Sequence, residues 1–348
     1  LLPNASGATI DNVFIHHNQF YDHWQFELDN WTGYGDSPHN DSIFMRIDTA
    51  TCSWGSNVNI YANQFWSTEP NKVGGTASIY ITGGPSANIY NNTFRGTAQS
   101  RTIFVNGGTP GPTPQVVRIY NNSFLVSYEL AIELSRNVVL LGTVDIRNNI
   151  FYDVRTGSSN NEILRISNAT IANSLTVDYN RYYSFNTGGG WFFWSTLCSG
   201  GLSCMQSRGL EVNGSFGDPQ FVNVVGVGAN VLQNDLRLQA ASPVRDIGVP
   251  LGATYATDFL GVVRPQGAGW DPGAYEFSSG APPPVPGVPM LTSPADGAAG
   301  VLTTTSLLWG AVNGATSYRV QLSLDSAFTQ VLLDSTTVSA SVTTPVMA

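Results

Sequence analysis

One short string recurs along the first half of the chain and constrains its fold more than any other feature. The pattern I-x-x-N-x-F occupies 15–20, 60–65, 89–94, 119–124 and 146–151, and degrades to V-x-x-N-x-Y at 177–182. Its asparagines, Asn18, Asn63, Asn92, Asn122, Asn149 and Asn180, are separated by 45, 29, 30, 27 and 31 residues. Between them runs a second apolar alternation: Ile79-Tyr-Ile81, Ile103-Phe-Val105, Ile132-Glu-Leu134 and Leu164-Arg-Ile166. Each unit thus holds at least two short strands joined by turn-forming Asn, Gly and Ser, and helical periodicity is almost absent. Units of about 30 residues cannot bury their own apolar face, but stacked as coils of a solenoid they can. The expected fold is all-β. The recurring Asn should sit in a tight turn at one bend of every coil, with its amide bonded to those above and below. The Ile and Phe of each repeat should form interior files.

Composition narrows the function classes. Among 348 residues, 24 acids outweigh 15 bases for a formal net charge of −9, and Lys72 is the one lysine. Clustered cations for phosphate are lacking, which argues against nucleic acid and against an anionic membrane surface. No apolar run approaches the ~18 residues of a membrane span. The 42% hydrophobic content excludes wholesale disorder. Richness in Asn, Gly, Ser and Thr with little Lys points to a secreted, extracellular or cell-surface protein. In that setting Cys198 and Cys204, which bracket a Gly-rich stretch, are expected to close a disulfide, with three reduced thiols as the alternative; Cys52 would stand alone. The N-x-[ST] sequons follow from Asn-rich turns and carry little weight.

The repeats resemble the coils of right-handed parallel β-helix proteins of the pectate-lyase-like group, over about 8–185. Downstream, Gly217-Asp-Pro-Gln-Phe-Val222, Asn234-Asp-Leu-Arg-Leu238, Ala241-Ser-Pro-Val-Arg-Asp-Ile-Gly248 and Asp271-Pro-Gly-Ala-Tyr-Glu276 are similar to the closing segment of many secreted bacterial β-helix proteins. That resemblance implies coils over 1–208 and a segment over 209–280 that caps the open end of the solenoid, its acids fixing loops. A Pro-rich linker at 281–289 follows. Leu307-Leu-Trp309 and Ala315-Thr-Ser-Tyr318-Arg-Val320-Gln-Leu322-Ser-Leu324, then Asp325 and Phe328, resemble strands of a fibronectin type III-like sandwich. Over 290–348 such a β-sandwich is incomplete, which suggests a fragment of a longer polypeptide and self-association through a donated strand.

All four histidines, His16, His17, His23 and His39, fall in the first 39 residues, around the one long repeat interval. The insertion at 24–40 is aromatic and acidic, carries Trp31, and suits a loop built for contact. It leads into His39-Asn-Asp41-Ser-Ile43, which resembles the H-x-D-x-I segment of some β-helix carbohydrate-active proteins. With Ile15 inward, His16 should face outward. The candidate catalytic residues are therefore His39, Asp41, Asp36, His16, His17 and Arg46. A carboxylate pair could divide acid and base roles in glycoside hydrolysis. Alternatively Asp22, Glu27, Asp29, Asp36 and Asp41 could hold Ca²⁺ against a uronate for elimination by a lyase, with His or Arg taking the proton. Lys72 lies in another loop, which disfavours a lysine base. Tyr61, Tyr90 and Tyr120, one per coil, should form an outward file able to stack on sugars, together with Trp31 and with Trp66 and Phe104 as further aromatics, or else stack only on one another to stabilise the sheet; Trp191 and Trp194 fit a core better. The bland alternative is that His16 and His17 fill repeat positions held elsewhere by Tyr61-Ala62 and Tyr90-Asn91, and that loop acids cap turns.

These observations lead to a secreted polysaccharide-binding β-helix protein, with a polysaccharide lyase or glycoside hydrolase as its catalytic form and a polysaccharide or cell-surface glycan as partner. A rival of another class is a structural or adhesive surface protein whose solenoid is a rigid spacer. The metal ligands are open.

Overall fold

A computed structural model describes residues 9–10, 12–21, 41–46, 53–54, 58–68, 76–82, 86–96, 100–107, 116–127, 130–136, 141–155, 162–168, 171–185, 191–195, 197–279, 289–302, 304–312, 315, 317–325 and 330–344. The chain divides into two units, Leu1–Ser279 and Gly280–Ala348.

The first unit is a parallel β-solenoid. Its first sheet stacks Val13–His16, Val58–Tyr61, Ala87–Tyr90, Val116–Tyr120, Leu141–Arg147 and Ala172–Asp178 in sequence order. The second runs from Gln19–Tyr21 through Gln64–Trp66, Thr93–Arg95, Ser123–Val126, Ile150–Asp153 and Arg181–Ser184 to Ser215–Phe216. The third takes Ile43–Arg46, Ala77–Thr82, Arg101–Gly107, Leu130–Arg136, Leu164–Ile166 and Phe192–Trp194, all parallel, and ends on antiparallel Cys198–Gly200. Register puts like on like. Ile15, Ile60, Ile89, Ile119, Ile146 and Val177 are direct partners. Phe65, Phe94, Phe124 and Phe151 stack with ring centroids 4.7–4.8 Å apart inside the coil. Together with Ile79, Ile103, Ile132 and Leu164 of the third sheet they form one buried core, so every added coil removes apolar surface from water.

The asparagine file also forms, with one correction. The left-handed residue at each bend is the one before the repeat Asn: His17, Ala62, Asn91, Asn121, Asn148 and Tyr179 have φ between 52° and 57°. That turn aims the following Asn inward. Its Nδ2 then donates to the next Oδ1, at 3.0 Å from Asn18 to Asn63, 3.1 Å from Asn63 to Asn92, and 3.0 Å from Asn92 to Asn122 and from Asn122 to Asn149. Asn149 continues to Asn180 at 2.9 Å, and Asn180 donates to the Glu211 carboxylate at 2.8 Å. Glu211 is fully buried and also accepts the Tyr182 hydroxyl. Burial pushes its carboxyl up to about 7.

Beyond the last parallel strands, Cys198 and Cys204 are disulfide-bonded, the short helix Leu202–Gln206 buries Met205, and Met205 and Leu210 join the interior core. The start of the following segment lies on the last coil, where Leu210 joins the core, Glu211 ends the asparagine file and Ser215–Phe216 pairs with Arg181–Tyr182; the rest does not continue over that end as the resemblance implied. Instead it turns back along the flank. Asn148 Nδ2 donates to the Val249 carbonyl (2.8 Å) while Val249 N–H donates to Asn148 Oδ1 (3.0 Å). Asn91 Nδ2 donates to the Thr257 carbonyl at 2.6 Å, and Ala274 N–H to Ser123 Oγ at 2.9 Å. Leu125, Ile150 and Tyr152 point away from the interior and bury themselves against Phe221, Leu236, Leu238, Val244 and Ala274. Outward apolar side chains on the middle coils need such a cover, which is why the segment settles there. Its own folding is fixed by the buried Arg264, paired with Glu276 at 3.0 Å, and by Asp258 and Asp271 accepting backbone N–H groups. The acids of this segment are thus structural.

In the second unit Leu291–Ser293, Ser306–Trp309 and Ser341–Thr343 form an antiparallel sheet, and Tyr318–Ser323 pairs antiparallel with Val331–Thr337. Trp309 is buried and meets Tyr318 edge to face at 5.5 Å. The linker at 281–288 and Phe328 lie outside the described residues.

Candidate functional site

The outer face of the third sheet carries a registered file of side chains in which Phe44, Phe104, Arg165 and Phe193 are partly open to solvent while Tyr80 and Glu133 are buried between them. In each strand the flanking aliphatics point inward: Ile43 and Met45, Ile79 and Ile81, Ile103 and Val105, Ile132 and Leu134, Leu164 and Ile166. Alternation therefore turns the residue between them outward. Those residues are Phe44, Tyr80, Phe104, Glu133 and Arg165, direct partners in register, followed by Phe193. Phe44 stacks on Tyr80 at 5.0 Å and Tyr80 on Phe104 at 4.8 Å. The Arg101 guanidinium lies 4.8 Å above the Phe104 ring and pairs with Glu133, which also accepts the Ser167 hydroxyl at 3.1 Å. Arg165 pairs with Glu162 at 2.5 Å and lies 5.9 Å from the Phe193 ring centre. Phe44, Phe104, Arg101, Arg165 and Phe193 are all partly open to solvent. Rings offer flat apolar faces to sugars and the arginines offer donors to hydroxyls or carboxylates.

The residues expected from the sequence are distributed differently. His16 and His17 are exposed at the bend between the first and second sheets, with Nδ1 atoms 2.8 Å apart and His16 stacked on Tyr61 at 4.8 Å. They fill the repeat positions of Tyr61-Ala62. Partial burial, and after it the His16 charge, lower the His17 imidazole. Asp41 stands at the start of a third-sheet strand, on another side of the coil, and accepts the Ala77 N–H at 2.6 Å, a bond that ties two coils together. Asp36, His39, Trp31, His23, Cys52, Lys72 and the acids Asp22, Glu27 and Asp29 lie outside the described residues; Arg46 ends a described strand, but its side chain is outside them. Among the described residues no group of three His, Cys, Asp or Glu converges.

The tyrosine file needs a correction. Tyr61, Tyr90 and Tyr120 do face away from the interior, but Tyr90 is 7% and Tyr120 3% exposed. Tyr255 meets both edge to face at 5.0 and 4.9 Å, and Trp270 and Leu251 complete the cover. Burial raises both phenols well above their ordinary value. Rings under the flank segment cannot stack on a sugar; their role is to hold that segment. Of the third-sheet file Phe104 alone is singled out from the sequence, although the signal for the rest lies in the middle letters of Ile79-Tyr-Ile81, Ile132-Glu-Leu134 and Leu164-Arg-Ile166.

Comparison with protein-family models, with curated proteins and with solved structures returns no match. No helix among the described residues is long and apolar enough to cross a membrane.

Proposed function

We propose that the chain is a secreted polysaccharide-binding protein: a right-handed β-helix of the pectate-lyase-like kind, followed by a fibronectin type III-like module, that lays a glycan along the outer face of the third sheet. The observation that carries this reading is the registered file of Phe44, Tyr80 and Phe104 continuing into Glu133, Arg165 and Phe193. Coils are spaced ~4.8 Å apart, so the partly open Phe44, Phe104, Arg165 and Phe193 offer a row of contacts along the stack to an extended chain. Affinity electrophoresis of the intact protein in gels containing neutral or acidic polysaccharides tests it. Retardation is expected in at least one gel, weakened about tenfold by Phe104→Ala and by Arg165→Ala. Parallel assays for unsaturated products and new reducing ends decide whether binding leads to elimination or hydrolysis.

A second reading, a rigid structural or adhesive scaffold, is favoured by one specific feature: both described carboxylates on this face, Glu133 and Glu162, are tied to arginines. Absence of retardation across a broad polysaccharide panel selects it.

A further inference from the structure

His16 ends a first-sheet strand and His17 takes the left-handed turn that follows, with φ of 56°. Neighbouring side chains in an extended strand point to opposite sides. The turn cancels that alternation and brings the two imidazoles together, nearly perpendicular at 87° with their Nδ1 atoms 2.8 Å apart. The arrangement is held from behind. The Tyr61 ring lies parallel to His16 within 18°, and His17 N–H donates to the Ala62 carbonyl at 3.1 Å. At the same bend the later coils carry Tyr61-Ala62, Tyr90-Asn91, Tyr120-Asn121, Arg147-Asn148 and Asp178-Tyr179, none of which supplies two ring nitrogens. In the middle coils this bend is also occupied by the flank segment, through Asn91 with Thr257 and Asn148 with Val249. At His16 and His17 both side chains face solvent.

We propose that His16 and His17 form a two-nitrogen chelate for a divalent transition-metal ion of tetragonal preference, Cu²⁺ before Ni²⁺, with water filling the other positions. Two nitrogens this close share either a proton or an ion, and imidazole is a favoured ligand of Cu, Ni and Zn. The 2.8 Å spacing is that of a proton shared between the rings, and it also suits one of the ion geometries without a change of rotamer. Nitrogens about 2.0 Å from an ion and subtending 90° are about 2.8 Å apart, whereas a tetrahedral angle separates them by about 3.3 Å. The site lies at the bend between the first and second sheets, away from the third-sheet face, and is independent of glycan binding.

The intact protein is titrated with Cu²⁺ by calorimetry against a weak chelator, and electron paramagnetic resonance of the equimolar complex counts ligand nitrogens. One site is expected, with two nitrogens in its spectrum. His16→Tyr and His17→Asn introduce the residue types that the repeat already carries at Tyr90 and Asn91, so the coil is retained. Each is expected to weaken Cu²⁺ binding at least tenfold, to remove one nitrogen from the spectrum and to leave the circular dichroism unchanged. Zn²⁺ should bind at least tenfold more weakly than Cu²⁺. The proposal is overturned if both variants bind Cu²⁺ like the parent, or if His23→Gln or His39→Gln alone abolishes the site. Equal affinity for Zn²⁺ and Cu²⁺ overturns the tetragonal assignment.

Discussion

The Asn122 side chain donates to the Ile89 and Tyr120 carbonyls and to Asn149 Oδ1, and accepts both the backbone and side-chain N–H of Asn92. Its removal strands buried partners in the coils on both sides. Asn122→Ala is expected to cost about 4 kcal/mol in denaturant unfolding. Asn18→Ala, at an exposed position, is expected to cost about 1 kcal/mol. Equal costs would show that the file contributes only local turn geometry. Glu211 adds a pH term. Its folded-state value, about 7 through burial, lies above the roughly 4.3 of an unfolded Glu. The stability that this group contributes is therefore fully present below about pH 4 and lost as pH rises through 7, an effect on the order of 3 kcal/mol. Glu211→Gln keeps an acceptor for Asn180 and Tyr182 and cannot ionise. The variant should gain stability over the parent on going from pH 5 to pH 8. A difference that stays constant with pH would refute this role. Burial of Asp271 in the flank segment, which pushes its carboxyl up to about 6, acts in the same direction but is common to both proteins.

The strands were legible because alternation and spacing are local. Ile15 through Ile146 and Phe20 through Phe151 announce their direction in every repeat, and the inward files follow from it. The flank segment was not legible in the same way. Its contacts join residues more than a hundred positions apart, as Asn148 with Val249 and Asn91 with Thr257, and no period connects them. For that reason the outward direction of Tyr90 and Tyr120 was deducible while their cover was not. Candidate residues around 22–40 drew attention through composition and Phe104 through its ring, whereas Glu133 and Arg165 were hidden inside strands read for their apolar flanks. One glycine tests how the segment is seated. Gly273 has φ of +93°, and a Cβ there would lie 2.8 Å from both Ile150 Cδ1 and Ser123 Oγ. Gly273→Ala should destabilise the unit by about 2 kcal/mol and speed proteolysis within 249–277 more than within the coils. Uniform acceleration along the chain would mean that the segment and the coils open together.

At the scale of the molecule, the solenoid is a linear stack in which each coil contacts its neighbours, so local opening should follow position. Amide exchange is expected to be slowest in 116–153, where coils are covered on both neighbouring faces and by the flank segment, and fastest in 13–21, where Phe14 and Tyr21 are more than half exposed. Equal protection in the two regions would contradict a stack with uneven support. The flank segment also imposes a ruler on the stack. An inserted Asn-containing coil could give and receive the same amide bonds as its neighbours, so the interior file by itself sets no limit on coil number. The segment does, because Thr257 is fastened to Asn91 and Val249 to Asn148. A short stretch of chain thereby bridges two bends, and a whole coil duplicated between them would have to draw out the turn at Ala253–Tyr255 or break one of these bonds. A coil duplicated ahead of Asn91 leaves both fastenings as they are, so changes in coil number disturb the protein least outside its covered middle.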